Sequence, residues 1–258
     1  MYPAAMRFLL PPDRGSVRVS ARAAVLADWM SGWLEQTVDV QAARSYRELS
    51  SAIERGDAEL VWTPPAVCAR VGARARTLLT AVRRDATSCS AALVVRADSG
   101  IRSLADLEGK RAAWVDPLST SGHLMAVDHL REHGLDPERT FSEQRFAGSY
   151  RDALVELVEG RADVTSVYVV DGGPDATLRE LHDLVGAGAK ALTLLATTAP
   201  APYDALVVPH GSPDSTLLET RILALHRRMR PPAMLLEVCR ADRFVRSGTD
   251  LYGSFSRG

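Results

Sequence analysis

Short apolar runs of strand length alternate with stretches of helical periodicity along most of this chain, and that alternation restricts the fold more than any other feature. Met6–Leu10, Val38–Ala42, Ala58–Trp62, Thr77–Arg83 and Ala91–Arg96 read as strands, because apolar or β-branched runs bounded by Pro, Gly or polar clusters fit buried strands. Between them the period changes. Leu26, Trp29, Met30, Trp33 and Leu34 fall at i, i+3, i+4, i+7 and i+8 and predict one apolar helix face turned to the core. Tyr46–Arg55 predicts a short helix with Leu49 and Ile53 inward and Gly56 as its stop. Such alternation predicts an α/β sandwich with a largely parallel sheet.

The middle of the chain repeats the pattern. Ser103–Glu108 is a short helical segment capped by Ser103 and Asp106 and ended by Gly109. Arg111–Val115 is a strand, Asp116-Pro117 a turn, and Ser119–His133 a helix with Leu124, Val127 and Leu130 on one side. Ser149–Glu159 is a further helix and Ala162–Val170 a β-rich run. After it, Leu192–Ala196 and Ala205–Val208 read as strands and Asp214–Met229 as a helix.

Several function classes fall away on composition. At 258 residues the chain holds one large domain or two lobes. Basic and acidic side chains number 31 and 32, so no global charge favours nucleic acid or an anionic membrane. Of the basic residues only Lys110 and Lys190 are not Arg, but the arginines are scattered rather than clustered. Cys68, Cys89 and Cys239 form no C-x-x-C pair and have no His at zinc spacing, so no metal and no cofactor is expected. No apolar run reaches membrane-spanning length, and Met1–Gly15 lacks a signal-peptide core, so the expected compartment is the cytoplasm, or the periplasm or a lipid anchor where a leader is removed.

The stretch that carries chemistry is Val115-Asp116-Pro117-Leu118-Ser119-Thr120-Ser121-Gly122-His123. A strand ends, the chain turns, and three hydroxyl residues and a glycine open a helix. The first turn of a helix has N–H groups without intrahelical partners and a partial positive charge, so small side chains there let an oxyanion approach. A well-capped helix uses the same residue types, and both readings stand on spacing alone. The stretch is no Walker loop, since it lacks G-x-x-x-x-G-K-[ST]. Asp116 reads as the turn residue before Pro117. His123 follows the cradle, where ligand contact and helix surface are both open. The other histidines, His129 and His133 among them, read as solvated surface.

Asp98-Ser99-Gly100-Ile101, Ser103-Leu104, Asp106-Leu107-Glu108-Gly109-Lys110, Val115-Asp116-Pro117 and Ser119-Thr120-Ser121-Gly122 together resemble the phosphonate/phosphite/phosphate solute-binding proteins of ABC transporters, in the type 2 periplasmic-binding superfamily. The likeness continues through Gly134-Leu135-Asp136-Pro137, Phe146-Ala147-Gly148-Ser149 and Val158-Glu159-Gly160-Arg161-Ala162-Asp163-Val164. It implies an α/β, two-lobed fold with a ligand cleft between the lobes, lobe one being residues 1–91 with 193–258 and lobe two residues 92–192. It further implies that Ser119, Thr120 and Ser121 hold the oxygens of the phosphorus group, that Tyr46 is the aromatic contact of lobe one, and that Asp204 is the acidic one. Trp62-Thr63-Pro64 stands where the family usually has Trp-x-Gly, Cys89 where it usually has Tyr, and Tyr150 where it usually has His, which brings Thr63, Cys89 and Tyr150 to the candidate site.

Three functions compete. The first is binding of a small anionic ligand without turnover, as a solute receptor for an ABC permease or as a cytoplasmic sensor or carrier with a signalling partner. The second is a cytoplasmic enzyme on the same scaffold, acting on a small carboxylate or phosphate-bearing substrate with Asp204 or His123 as its titratable group. The third is a regulatory protein with a degenerate cleft.

Overall fold

The computed structural model describes residues 5–12, 17–169, 174–210, 215–225, 233–246 and 252. The chain divides into two compact units, Met1–Thr87 with Pro202–Gly258, and Ser88–Ala201.

The first unit is built on a six-stranded sheet. Its strands are β1 (Met6–Leu10), β2 (Val38–Ala42), β3 (Leu60–Thr63), β4 (Ala75–Val82), β12 (Ala205–Pro209) and β13 (Arg243–Arg246), in the order β13-β4-β12-β3-β1-β2. Strands β2, β1 and β3 run parallel, whereas β12 is antiparallel to β3 and to β4, and β4 is antiparallel to β13. Helices α1 (Val17–Leu34), α2 (Tyr46–Arg55), α3 (Pro65–Val71), α8 (Ser215–Leu223) and α9 (Met234–Val238) belong to this unit. The sheet is mixed rather than largely parallel, because β12 enters it from the far side of the second unit in sequence. In α2, Ser45 caps the first turn by accepting the Glu48 N–H at 3.1 Å, and Gly56 ends the helix at φ +70°, a left-handed conformation that suits glycine. Helix α1 buries Leu26 and Met30 completely. Contrary to expectation, Trp29 and Trp33 are only half-buried and stack on each other with ring centroids 5.2 Å apart. A ring pair that covers its own faces needs less of the core. Helix α8 ends its regular part at Leu223, and residues 226–229 of the expected helix lie outside the described residues.

The second unit has a five-stranded sheet of β6 (Ala91–Arg96), β7 (Arg111–Trp114), β8 (Glu143–Phe146), β9 (Val164–Tyr168) and β10 (Leu192–Thr197), in the order β10-β6-β9-β7-β8. Strands β8, β7 and β9 are parallel, and β6 is antiparallel to β9 and to β10. Since β10 pairs with β6, the second unit runs on to Ala201, beyond the expected boundary at 192. The short strands β5 (Ser88–Cys89) and β11 (Ala201–Pro202) pair with each other. Helices α4 (Met125–Glu132), α5 (Pro137–Thr140), α6 (Tyr150–Val158) and α7 (Pro174–Val185) complete the unit.

Strand β6 shows why a continuous apolar run is needed here. Leu93 and Val95 enter one core layer with Ile101, Leu107, Trp114, Ala126 and Leu130. Ala92 and Val94 enter another with Leu154, Leu157, Val167 and Leu181. Alternate side chains thus bury on opposite faces of one strand. The Ser103–Asp106 motif serves the same core. It is a capping box at a single tight turn, Leu104–Leu107, and places Leu107 inside.

The start of β7 is tied to the loop before β9 by Arg111 and Asp163. Arg111 Nε and Nη2 donate to the two carboxylate oxygens at 3.0 and 2.9 Å, and the Arg111 N–H donates to Oδ2 at 2.9 Å. The Asp163 N–H returns a bond to the Arg111 carbonyl at 2.8 Å. The Arg111 guanidinium holds the Asp163 carboxyl below the usual carboxylate range. A depressed folded-state pKa stabilises above the unfolded value and loses that contribution as pH falls through the folded value. Asp163→Asn is therefore expected to lower Tm by a few degrees at pH 7. The gap from the wild type should close in melts recorded well below the ordinary Asp range of about 4.

Candidate functional site

The turn after β7 is set by backbone proximity. The Asp116 carboxylate accepts the Leu118 N–H at 2.9 Å and its carbonyl accepts the Ser119 N–H at 2.9 Å, so Asp116 is the turn residue its sequence context suggests. Ser119 Oγ then accepts the Gly122 N–H at 3.3 Å. The first backbone bonds of the helix span five residues, Leu124 N–H to Ser119 O at 3.0 Å and Met125 N–H to Thr120 O. This wide turn precedes the regular α4. A single-turn widening of this kind recurs at functional sites. Gly122 makes it possible. A Cβ there would lie 2.4 Å from Val115 Cγ2 and 2.7 Å from Ser119 Oγ, while Gly122 O accepts the Val115 N–H at 3.1 Å. Here glycine is required by close approach, not by its φ angle.

The three hydroxyls differ. Ser119 is 1% exposed and acts as the cap, and Thr120 is 6% exposed. Ser121 is half-buried, its Oγ lies 2.7 Å from the Tyr150 phenol oxygen, and its carbonyl accepts Ser166 Oγ–H at 2.6 Å. Tyr150 opens α6, whose N-cap Ser149 accepts the Asp152 N–H at 3.0 Å. The ring of Tyr150 meets the ring of Tyr168 edge-on at 5.4 Å. These residues follow or end the parallel strands β7, β8 and β9, and the carboxyl ends of parallel strands are where open α/β sheets bind ligands.

His123 is wedged between the rings of Trp114 and Phe146, at 5.7 and 5.0 Å. Its Nδ1 lies 3.1 Å from the Pro117 carbonyl oxygen. A carbonyl only accepts, so Nδ1 carries the hydrogen and the neutral ring has a lone pair at Nε2. Burial pushes its pKa below the ordinary His value, with the Pro117 bond opposing. At neutral pH His123 therefore presents an acceptor, not a donor.

In the second unit the structure brings together Ser119, Thr120, Ser121, Gly122, His123 and Tyr150. In the first unit Tyr46 opens α2 and is buried, at the carboxyl end of β2. Thr63 ends β3, is fully buried, and its Oγ1 has no hydrogen-bond partner. Thr63 is in register with Ala205, the residue after Asp204. Cys89, half-buried and in no disulfide, lies in β5.

Sequence reasoning missed what surrounds Asp204. Arg83 Nη2 donates to Asp204 Oδ2 at 3.2 Å and to the Cys239 carbonyl at 3.0 Å, and Nε donates to the Arg240 carbonyl at 2.8 Å. The guanidinium sits 4.4 Å from the Tyr203 ring centroid. Burial raises the Asp204 pKa and Arg83 opposes the rise. Burial also pushes the Cys68 and Cys239 thiols well up, and the Asp204 charge adds to this in both, so neither is a ready thiolate. Arg83 and Asp204 are 121 residues apart, and no local pattern marks them as a pair.

Two α/β units of mixed sheet, each with its candidate residues at the carboxyl ends of parallel strands, define a two-lobed periplasmic-binding-protein fold. The sequence profile for "ABC transporter, phosphonate, periplasmic substrate-binding protein" matches residues 8–252, and the chain belongs to that family. PhnD1 from Prochlorococcus marinus, solved in complex with methylphosphonate, superposes with a TM-score of 0.82 at 17% identity, covering 98% of this chain and 96% of that one. XAC2383 from Xanthomonas citri, solved bound to chloride ion, gives 0.81 at 18% identity, covering 97% and 96%. The tetrathionate sensor histidine kinase TtrS of Salmonella typhimurium is 32% identical over 122 residues, 45% of this chain. The chain spans about a fifth of that kinase's length. Among the described residues no helix is long and apolar enough to cross a membrane.

Two outcomes follow from the turn. Gly122→Ala forces Val115 or the turn to move and is expected to destabilise by about 1–3 kcal/mol, the usual cost of overpacking, in denaturant unfolding. The folded state binds a proton at His123 less readily than the unfolded chain, so acidification from pH 7 through the ordinary His range removes stability. His123→Leu should flatten the fall of Tm between about pH 7 and pH 5. The flattening should be partial, because His129 is shifted in the same direction.

Proposed function

We propose that the chain binds a small oxyanion of phosphorus or sulfur at the Ser119–Gly122 turn, without turnover, and that it serves as a receptor for an ABC permease or for a signalling partner. The observation that carries this reading is the Ser121–Tyr150 hydroxyl pair on a widened first turn of helix, 2.7 Å apart. The pair sets two hydroxyls, each able to donate, beside that turn, and the turn's dipole favours a negative guest. Tyr150 takes the place of the His usual in the family, so a phenol hydroxyl stands there in place of an imidazole.

The engagement of both nearby carboxylates in the protein's own bonds supports binding over catalysis. Asp116 accepts the Leu118 N–H within the turn. In the first unit Asp204 is held by Arg83. The likeness to a methylphosphonate-bound protein and to a tetrathionate sensor supports an oxyanion of either element. The family resemblance also assigns ligand contacts to Tyr46, Thr63, Cys89 and Asp204. Among these Thr63 has the clearest reason, because a buried hydroxyl with no partner gains by meeting one.

The test is thermal shift and calorimetry against methylphosphonate, phosphite, phosphate, sulfate, thiosulfate and tetrathionate. One or more of these should raise Tm. Tyr150→Phe should weaken that ligand by about 1.5–3 kcal/mol, roughly 10–150-fold, the usual worth of a hydrogen bond to a charged group. No response to any of the six, or equal affinity in the variant, contradicts the reading. Conversion of a bound ligand, followed by NMR, would favour the enzyme instead. The family description names the periplasm, and cell fractionation separates that compartment from the cytoplasmic form of the proposal.

A further inference from the structure

Helix α4 carries, beyond the candidate turn, two histidines four residues apart, His129 and His133, and this spacing puts both on one helix face. Their ring centroids are 4.3 Å apart with an interplanar angle of 51°. His133 is exposed and His129 half-buried. His133 Nδ1 lies 2.8 Å from the carbonyl oxygen of His129. Since that oxygen only accepts, Nδ1 donates, and in the neutral ring Nε2 holds the lone pair. Metal-ligating histidines are oriented in this way, with the second ring nitrogen donating to a carbonyl or carboxylate.

The geometry points to a two-imidazole chelate on α4 that takes a first-row divalent ion of the Cu²⁺, Ni²⁺ and Zn²⁺ class. The charges around it agree. His133 is the C-cap of α4, and the carboxyl end of a helix attracts cations. Glu132 and Asp128 lie on the same helix, and Arg131, the nearest cation on it, is 3.7 Å from Asp128. Among the described residues no group of three or more His, Cys, Asp or Glu side chains is placed to hold a metal. Water or an outside ligand therefore fills the remaining positions, which describes an exchangeable site rather than a structural zinc centre. Affinity for imidazole nitrogen should follow Cu²⁺ above Ni²⁺ and Cu²⁺ above Zn²⁺. This site does not depend on the oxyanion reading.

The experiment titrates the full chain with CuCl₂, NiCl₂ and ZnCl₂ in a weakly coordinating buffer at pH 7, with circular dichroism as the check on folding. Saturable binding of one ion per chain is expected. His129→Gln and His133→Gln should each weaken it by about tenfold or more, and the Cu²⁺ electron paramagnetic resonance spectrum should show two coupled imidazole nitrogens. His129→Gln leaves the backbone carbonyl at the helix end in place, so it reads out ligation even if the His133 variant unfolds. Binding unchanged in His129→Gln, a single coupled nitrogen, or no saturation up to millimolar ion overturns the proposal.

Discussion

Gly122 and Val115 touch where no side chain could stand between them, and the candidate site depends on that contact. The Cβ position is taken by Val115 Cγ2, and the Gly122 carbonyl is tied to the Val115 amide. The chain therefore folds back over the end of β7 before it can enter a regular helix. It does so through bonds that span five residues, which widen the turn. Ser119 is consumed as the cap, and Ser121 is left facing Tyr150. One close backbone approach thus assigns different tasks to three neighbouring hydroxyl residues.

The charged groups nearest the candidate residues are satisfied within the protein. Asp204 has Arg83, which also binds two carbonyls and lies over Tyr203. Asp116 is bound to the backbone of its own turn. Under the proposed function, the groups of the Ser119–Gly122 turn that would meet an anion are neutral, namely hydroxyls and the amides of a helix start. Neutral donors hold an oxyanion without demanding a particular counter-charge, and selectivity then comes from shape and from how many hydrogens the ligand itself carries.

Much of the local structure was legible in the sequence. Strands β1 and β2 and helix α2 have the expected bounds, because apolar runs and a 3.6-residue period are local signals, and Gly56 stops α2 as expected. The capping box at Ser103 and Asp106 was equally readable. Helix α7 was missed although Leu178, Leu181 and Val185 carry its period. Strand β8, Glu143–Phe146, has no apolar run and exists because it pairs with β7 from Arg111 to Trp114. The site followed the same division. Ser121 and Tyr150 were each singled out, but their pairing joins residues 29 apart, and the Arg83–Asp204 pair joins residues 121 apart. Contacts of that range are fixed by sheet order and register, which periodicity does not encode. The His129–His133 spacing was visible, but its meaning rests on the bond from His133 Nδ1 to the His129 carbonyl, which spacing does not encode.

The most direct measurement is an amide ¹H–¹⁵N correlation spectrum of the chain, recorded with and without whichever oxyanion raises its melting point. Backbone N–H signals of Thr120, Ser121 and His123 should move downfield more than any others, as amides do when they donate to a charged oxygen. If those signals stay in place while resonances elsewhere respond, the widened turn after β7 is a cap and nothing more.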